Sequence, residues 1–310
     1  MEIDIRDSFF NGIYDIISND KNAIILTSDH GAFGLKRIQS DYPKQYINIG
    51  IAEQNMVNVS AGLAMSGKSV YIYGIISFVI FRAAEQININ IASMNLDVNI
   101  IGVGSGFSYS RDGPTHHGIQ DIAIMFAMPN MSIFNISDAV SAYNLALLSH
   151  ESKGPKYFRI GKERVPDIYS ENDRFTNGLN IIRKGKDIVI ISSGLMIHKA
   201  IKVSKELSQK GYDSGVIDIY RLKPLNQSNL VENIINVKKI IVLEDNICYG
   251  GLGEKICSIL CQHDLHIPIK IVSIGDRHCF YCNNAESVYE HYELSVNKII
   301  FIILQWLKEN

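Results

Sequence analysis

Residues 98–127 read VNIIGVGSGFSYSRDGPTHHGIQDIAIMFA. They open with an apolar run, Val98–Val103, that has the composition of a buried strand. A glycine-rich loop, Gly102–Gly118, follows, and then a segment with helical spacing, Ile119–Ala127. Strand, loop and helix in that order are the unit of a parallel α/β sheet. The unit recurs in both directions. Upstream, Asn22–Thr27 (NAIILT) is a predicted strand that ends in the loop Ser28-Asp29-His30-Gly31. Glu53–Met65 has helical spacing with small residues at Ser60, Ala61, Gly62 and Ala64. Ser69–Tyr73 reads as a strand and Phe78–Met94 as a helix. Downstream, Met131–Phe134 is a strand, Asp138–Ser149 a helix and Lys156–Ile160 a strand.

The stretch Gly161–Asn180 is polar, contains Pro166 and breaks the pattern, which then restarts. Asp187–Ser192, Asp213–Ile219, Lys239–Leu243 and Pro268–Ser273 are predicted strands. Met196–Lys210, Asn229–Asn236, Gly253–His263 and Ser295–Lys308 are predicted helices. The expectation is two doubly wound α/β domains, 1–165 and 180–310, each with a parallel sheet covered on both faces. Ligands in such folds gather at the carboxyl ends of strands. That directs attention to the loops at 28–34, 74–81, 104–118 and 244–253.

The chain of 310 residues is 46% hydrophobic and 20% charged, enough apolar residue to build a core. Its 30 basic and 32 acidic residues leave a net charge of −2 without a run of either sign, which argues against nucleic acid or an anionic membrane as partner. Met1–Phe10 (MEIDIRDSFF) lacks the basic and apolar regions of a signal peptide. The longest mostly apolar stretch, 70–81, is too short for a membrane span, which needs about 20 residues. The five cysteines all lie at Cys248 or later and read as free thiols of a cytoplasmic protein. Cys279-x-x-Cys282 is half of a metal motif with no second half, so no metal site is assigned.

Three stretches carry chemistry. Asn48–Met56 (NIGIAEQNM) sets Glu53 at a helix start after a glycine-bearing turn. A glutamate in a first turn complements the helix dipole whether or not it does anything else. In Gly74–Ile87 (GIISFVIFRAAEQI), Phe78 and Phe81 stand one helical turn apart, as core residues or as the wall for a flat heterocycle. Arg82 and Glu85 are spaced for a local ion pair. The loop Gly102–Gly118 has five glycines and the pair His116–His117, proton donors or simply polar loop residues. A loop of this length in a compact domain is usually functional, and without a ligand it is costly to order.

Together these stretches resemble one family. GIAEQNM, SFVIFRAAEQI and DGPTHHGIQDIAIMFAMPNM are similar to the pyrimidine-binding domain of transketolases, and LEDNICYGGLG (243–253) to that family's C-terminal domain. The resemblance covers essentially the whole chain. The family's diphosphate-binding domain, marked by a GDG motif and a later asparagine, has no counterpart here. The resemblance therefore implies the C-terminal subunit of a split, thiamine-diphosphate-dependent transketolase. The enzyme would transfer a two-carbon ketol unit from a ketose to an aldose. An N-terminal partner subunit would hold the diphosphate through magnesium or calcium, in a heterotetramer with the active site at the subunit interface.

The resemblance also implies roles. Glu53 would be the carboxyl beside a ring nitrogen of the aminopyrimidine, a group that must hold or share a proton at neutral pH. Phe78 or Phe81 would stack on the pyrimidine, with Arg82 beneath that wall and Asp29 near the ring. His116 would be a catalytic proton relay at the substrate carbonyl. Asp112 would contact a substrate hydroxyl, with His30 also among the substrate-binding residues. Arg6 and Arg159 would bind a sugar phosphate, for which a guanidinium fork is well shaped. Glycines 250, 251 and 253 are read as turn and packing residues rather than a phosphate cradle.

There are departures from the family pattern. Gly104 stands where ordinary transketolases have a histidine that helps bind the donor's terminal hydroxyl. The loop Gly104–Arg111 is unusual, and Phe126 replaces an arginine. These changes imply a specialised ketose or acceptor. Rival readings are a 2-oxoacid dehydrogenase beta chain, a deoxyxylulose-phosphate-synthase-like enzyme and a non-catalytic assembly subunit. The DGPTHH run disfavours the first two, and joint retention of Glu53, Asp112 and His116 the third.

Overall fold

The computed structural model describes residues 4–309; Met1–Ile3 and Asn310, the outer ends of the two predicted domains, lie outside the described residues. Apolar runs such as Ala23–Thr27 and Ile188–Ser192 are buried along their whole length, as strands covered on both faces must be. In the first half the strands are β1 (Ala23–Thr27), β2 (Tyr46–Asn48), β3 (Ser69–Ile75), β4 (Val98–Val103), β5 (Ser132–Asn135) and β6 (Lys156–Ile160). In the second half they are β7 (Asn180–Arg183), β8 (Ile188–Ser192), β9 (Ser214–Asp218), β10 (Arg221–Lys223), β11 (Lys239–Leu243) and β12 (Ile269–Val272).

The first sheet runs β10-β5-β6-β4-β3-β1-β2 and the second β12-β11-β8-β9-β7. Each is parallel except at one edge, where β10 and β7 pair antiparallel. The α/β expectation therefore holds, with one addition. The second half lends β10 to the first half's sheet, where Arg221 pairs with Phe134. One apolar core runs through this junction, from Met125 and Ile133 to Leu222, Leu225 and Val242.

Helix α1 (Ile5–Asn19) adds to the predicted elements. Its signals are present in the sequence: Asp4 accepts a hydrogen bond from the Arg6 amide at 2.9 Å, and Ile5, Phe9, Ile13 and Ile16 form one buried face. It lies tightly on a later helix, Ala139–Glu151, where a Cβ on Gly12 would stand 2.7 Å from Ala146 Cβ. A short helix, α2 (Phe33–Asp41), follows β1, and α3 (Glu53–Met65) follows β2.

The single helix expected over Phe78–Met94 is broken. A π-helical turn at Ser77–Phe81, a short α4 (Ala84–Gln86) and a second π-helical turn at Ile87–Ala92 replace it. Wider turns of this kind recur at functional sites because they re-aim side chains. Here the first turn separates Phe78, half-buried, from Phe81, which is 37% exposed.

The remaining helices are α5 (Asp121–Phe126), α6 (Ala139–Glu151), α7 (Met196–Gln209), α8 (Gln227–Ile234), α9 (Leu252–Gln262), α10 (Ala285–His291) and α11 (Val296–Glu309). Asp138 caps α6 through the Ser141 amide and also accepts from the amides of Ile168 and Tyr169. The polar segment after β6 is thereby tied down rather than left as a free linker.

Candidate functional site

The site forms where β1, β3, β4 and β6 end. Chain leaving β2 turns at Gly50 (φ 77°) and enters α3 at Glu53, whose side chain is 2% exposed. Arg82 Nη1 donates to Glu53 Oε2 at 2.6 Å, while the rest of the Arg82 side chain is 45% exposed. Among the described residues, no ion pair joins Arg82 to Glu85, so the local pairing that the spacing allowed is not made. The Arg82 guanidinium lies 4.9 Å from the centre of the Phe78 ring, and Phe78 meets the His116 imidazole edge-on at 5.0 Å.

The contacts continue without a gap. His116 lies 6.0 Å from the Tyr109 ring, and the Tyr109 hydroxyl lies 3.3 Å from His30 Nε2. Lys162 Nζ sits 3.9 Å above the Tyr109 ring. One string of side chains thus joins Glu53 at one end to a cationic group at the other. Burial, reinforced by the charges of Arg6, Lys162 and His116, holds the His30 imidazole below its usual pKa. The two histidines of the loop point to different fates. His116 is half-buried, with its Nδ1 2.9 Å from Thr115 Oγ1. His117 is buried against Phe107, and neither ring nitrogen has a hydrogen-bond partner among the described residues.

Asp29 and Asp112 are both exposed. Asp29 takes a positive φ of 59°, which a short polar side chain tolerates, and Asn48 steadies it through both its amide and its carboxylate. The loop 102–118 is braced from within. Gly106 and Gly118 exchange backbone hydrogen bonds at 2.8 and 3.1 Å, and Gly106 lies so close to Asp245 of the second half that a Cβ would collide.

Arg6 remains a candidate for an anion. Its side chain is largely covered, its Nε has no hydrogen-bond partner among the described residues, and its ion pairs with Asp4 and Asp7 are long, at 3.8 Å. Arg159 is a correction. It is fully buried, and all five of its donors are committed: Nε to Asp121, Nη1 to Asp245 and Asn135, Nη2 to the Gly118 carbonyl and Asn246. Burial works against its charge, but the carboxylates of Asp121 and Asp245 outweigh it and raise its pKa above the ordinary value. Arg159 fastens the two halves together and has nothing left for a phosphate.

The cation that does face Arg6 and His30 is Lys162, which no motif in the sequence marks. Its one signal is position: it lies just beyond β6, at the carboxyl end of a central strand, where the strand-end rule places ligands. Tyr109 is hidden in the same way, as one of several hydroxyls in the glycine loop.

In the second half, the amides of Leu252 and Gly253 at the start of α9 donate to Glu244 at 2.8 and 3.1 Å. Burial pushes the Glu244 carboxyl up to about 7 despite those two bonds. The helix end is already served by the chain's own carboxyl, in keeping with a structural role for this glycine turn.

Comparison with known proteins agrees with this fold. Residues 1–167 match the family described as transketolase, pyrimidine binding domain, and residues 178–299 match transketolase, C-terminal domain. The chain is 32% identical over 308 residues to one of the subunits of the apulose-4-phosphate transketolase of Phocaeicola vulgatus, covering 98% of this chain and 97% of that one. It is 28% identical over 280 residues to the 6-deoxy-6-sulfo-D-fructose transketolase subunit SqwH of a Clostridium species, covering 89% and 85%. A solved structure described as a split gene transketolase, inactive beta4 tetramer, superposes with a TM-score of 0.88 at 28% identity, covering 98% of both chains. The chain belongs to the transketolase family, of which it carries the pyrimidine-binding and C-terminal domains.

Proposed function

We propose that this chain is the pyrimidine-side subunit of a split transketolase and works with a separate subunit that binds the diphosphate of thiamine diphosphate and its magnesium or calcium ion. The single observation that carries the reading is the position of Glu53. It is a buried carboxyl whose only side-chain hydrogen bond among the described residues comes from a half-exposed arginine, and that arginine lies against Phe78, which in turn meets His116. An aminopyrimidine fits there: the carboxyl meets a ring nitrogen, and the aromatic ring supports its face.

The cofactor supplies the carbon–carbon bond chemistry when bound. The residues of this chain do the rest. Glu53 Oε2, now held by Arg82, turns to the ring nitrogen and holds a proton there. Phe78 orients the ring. His116 carries a proton to or from the substrate oxygen beside it. Asp112, at the rim, takes a sugar hydroxyl.

Arg6, His30 and Lys162 mark the far end of the cleft as the seat of an anionic tail. The two relatives are named for a sugar phosphate and a sulfosugar, and either tail suits these donors. The donor proposed is therefore a ketose with a terminal phosphate or sulfonate.

A site open on one side needs a second subunit to exclude water. Two copies of each subunit is the proposed assembly in the cytoplasm, and this chain alone is proposed to self-associate without activity, as that solved relative is described. The test mixes the chain with its diphosphate-binding partner, thiamine diphosphate and magnesium over a panel of ketose phosphates, ketose sulfonates and pyruvate. Two-carbon transfer from a ketose, absent for the chain alone and for Glu53→Gln, is expected. Consumption of pyruvate instead, or full activity of the isolated chain, would overturn the reading.

A further inference from the structure

We propose that Tyr109 determines which ketose the cleft accepts, by setting the distance between its reaction end and its cationic end. The inference rests on the transketolase reading above and concerns a residue to which that reading gives no role.

Gly104 and Tyr109 are a matched pair. Gly104 has φ 102°, and a Cβ built on it would stand 2.5 Å from two carbons of the Tyr109 ring. Any side chain at 104 would therefore displace that ring, and the ring occupies the space that a side chain there would otherwise fill. Tyr109 is itself only 9% exposed and is held on several sides. His116 lies against it at 6.0 Å, Lys162 Nζ covers its face at 3.9 Å, and its hydroxyl reaches His30 Nε2 at 3.3 Å. Its carbonyl also accepts from the Asp112 amide at 3.0 Å, which ties the backbone of Tyr109 to that of the rim aspartate.

These contacts make Tyr109 the wall between two functions. On one side are His116 and Phe78, where the substrate carbonyl must come. On the other are His30, Lys162 and Arg6, where an anionic tail is bound. A rigid ring between them fixes the span a ketose must have. Burial pushes the phenol up to about 12, so its hydroxyl stays neutral and serves His30 as a hydrogen-bonding partner without adding charge. Length selection belongs to the ring and orientation of His30 to the hydroxyl, and the two are separable by substitution.

The experiment uses the assembled two-subunit complex with thiamine diphosphate. kcat/KM is measured for xylulose 5-phosphate, fructose 6-phosphate, sedoheptulose 7-phosphate and any other ketose the panel finds to be consumed. Tyr109→Ala is expected to shift the preference toward the longer ketoses by about tenfold, the scale on which a pocket discriminates one carbon unit. Tyr109→Phe is expected to leave that ratio within about twofold, since the ring remains. Tyr109→Leu replaces the alanine variant if thermal melting shows the latter unfolded, with a smaller shift in the same direction. An active complex whose length preference is unmoved by Tyr109→Ala or Tyr109→Leu overturns the inference while leaving the function intact. A wild-type complex that consumes no ketose overturns the function, and the inference with it.

Discussion

The two halves of the molecule each place a glycine-rich turn at the carboxyl end of a central strand, and the turns do opposite things. After β11, Gly250–Gly253 leads into α9, and the free amides of that helix are taken by Glu244 from within. After β4, Gly102–Gly118 braces itself through Gly106 and Gly118 and leaves His116 half-buried and Asp112 exposed. Glycine content is common to both. What separates them is whether the chain satisfies its own polar groups. The same contrast divides the arginines: Arg159 spends every donor inside the protein, whereas Arg6 Nε makes no hydrogen bond among the described residues and has only a long ion pair with Asp7.

Substitution at the open turn should cost activity and spare stability, while substitution at the satisfied positions should do the reverse. Glu53→Gln should lower kcat of the complex by about a thousandfold or more, within the range for a positioned acid–base group. Its thermal midpoint should change by only a few degrees. A variant that unfolds instead would make Glu53 a structural residue.

Arg159→Met should cost about 3–5 kcal/mol in urea unfolding, because it strands Asp121 and Asp245 in the interior. An unchanged urea midpoint with a raised KM would return Arg159 to substrate binding.

The next effect is in pH. Glu244 and Asp218 are both raised to about 7 by burial. The folded chain therefore binds protons at these sites between about pH 4 and 7 that the unfolded chain has released. Stability from them is fully present at the acid end of that window and is lost as pH rises through 7. Unfolding free energies from urea titrations at pH 5 to 8 should fall by an amount on the order of 1 kcal/mol or more, with the midpoint falling in step, and Glu244→Gln should flatten part of the slope. A midpoint that rises through neutrality would contradict the sign.

Smallest is the cationic end of the cleft. Lys162→Met should raise KM for an anion-tailed ketose about tenfold, the worth of one charge-assisted hydrogen bond, with kcat nearly unchanged. An equal loss for a ketose without the tail would detach Lys162 from anion binding.

The α/β order, the two-part layout and the family were legible because each rests on local pattern. Apolar runs of strand length, glycine loops behind them and small-residue helices survive without knowledge of what they touch. The helix start at Glu53 after a glycine turn was legible for the same reason, whereas a role for its carboxyl came only from the resemblance. Other features were not. Residues 77–92 satisfy helical spacing, yet fold as two π-helical turns about a short α-helical one, because side-chain spacing does not tell an i→i+5 hydrogen-bond pattern from an i→i+4 one. β10 is three residues long, too short to announce itself, and exists because the edge of β5 receives it.

Arg159 and Lys162 are both cations at the end of one strand, three positions apart. Sequence determined that cations stand there and which strand end carries them. Only the tertiary structure decided that Arg159 turns into the interface, where Asp121 and Asp245 meet it, and that Lys162 turns toward Tyr109 and the cleft. The direction of a side chain leaving a strand end is fixed by partners far away in the chain, since a buried charge must be paired and an exposed one need not be.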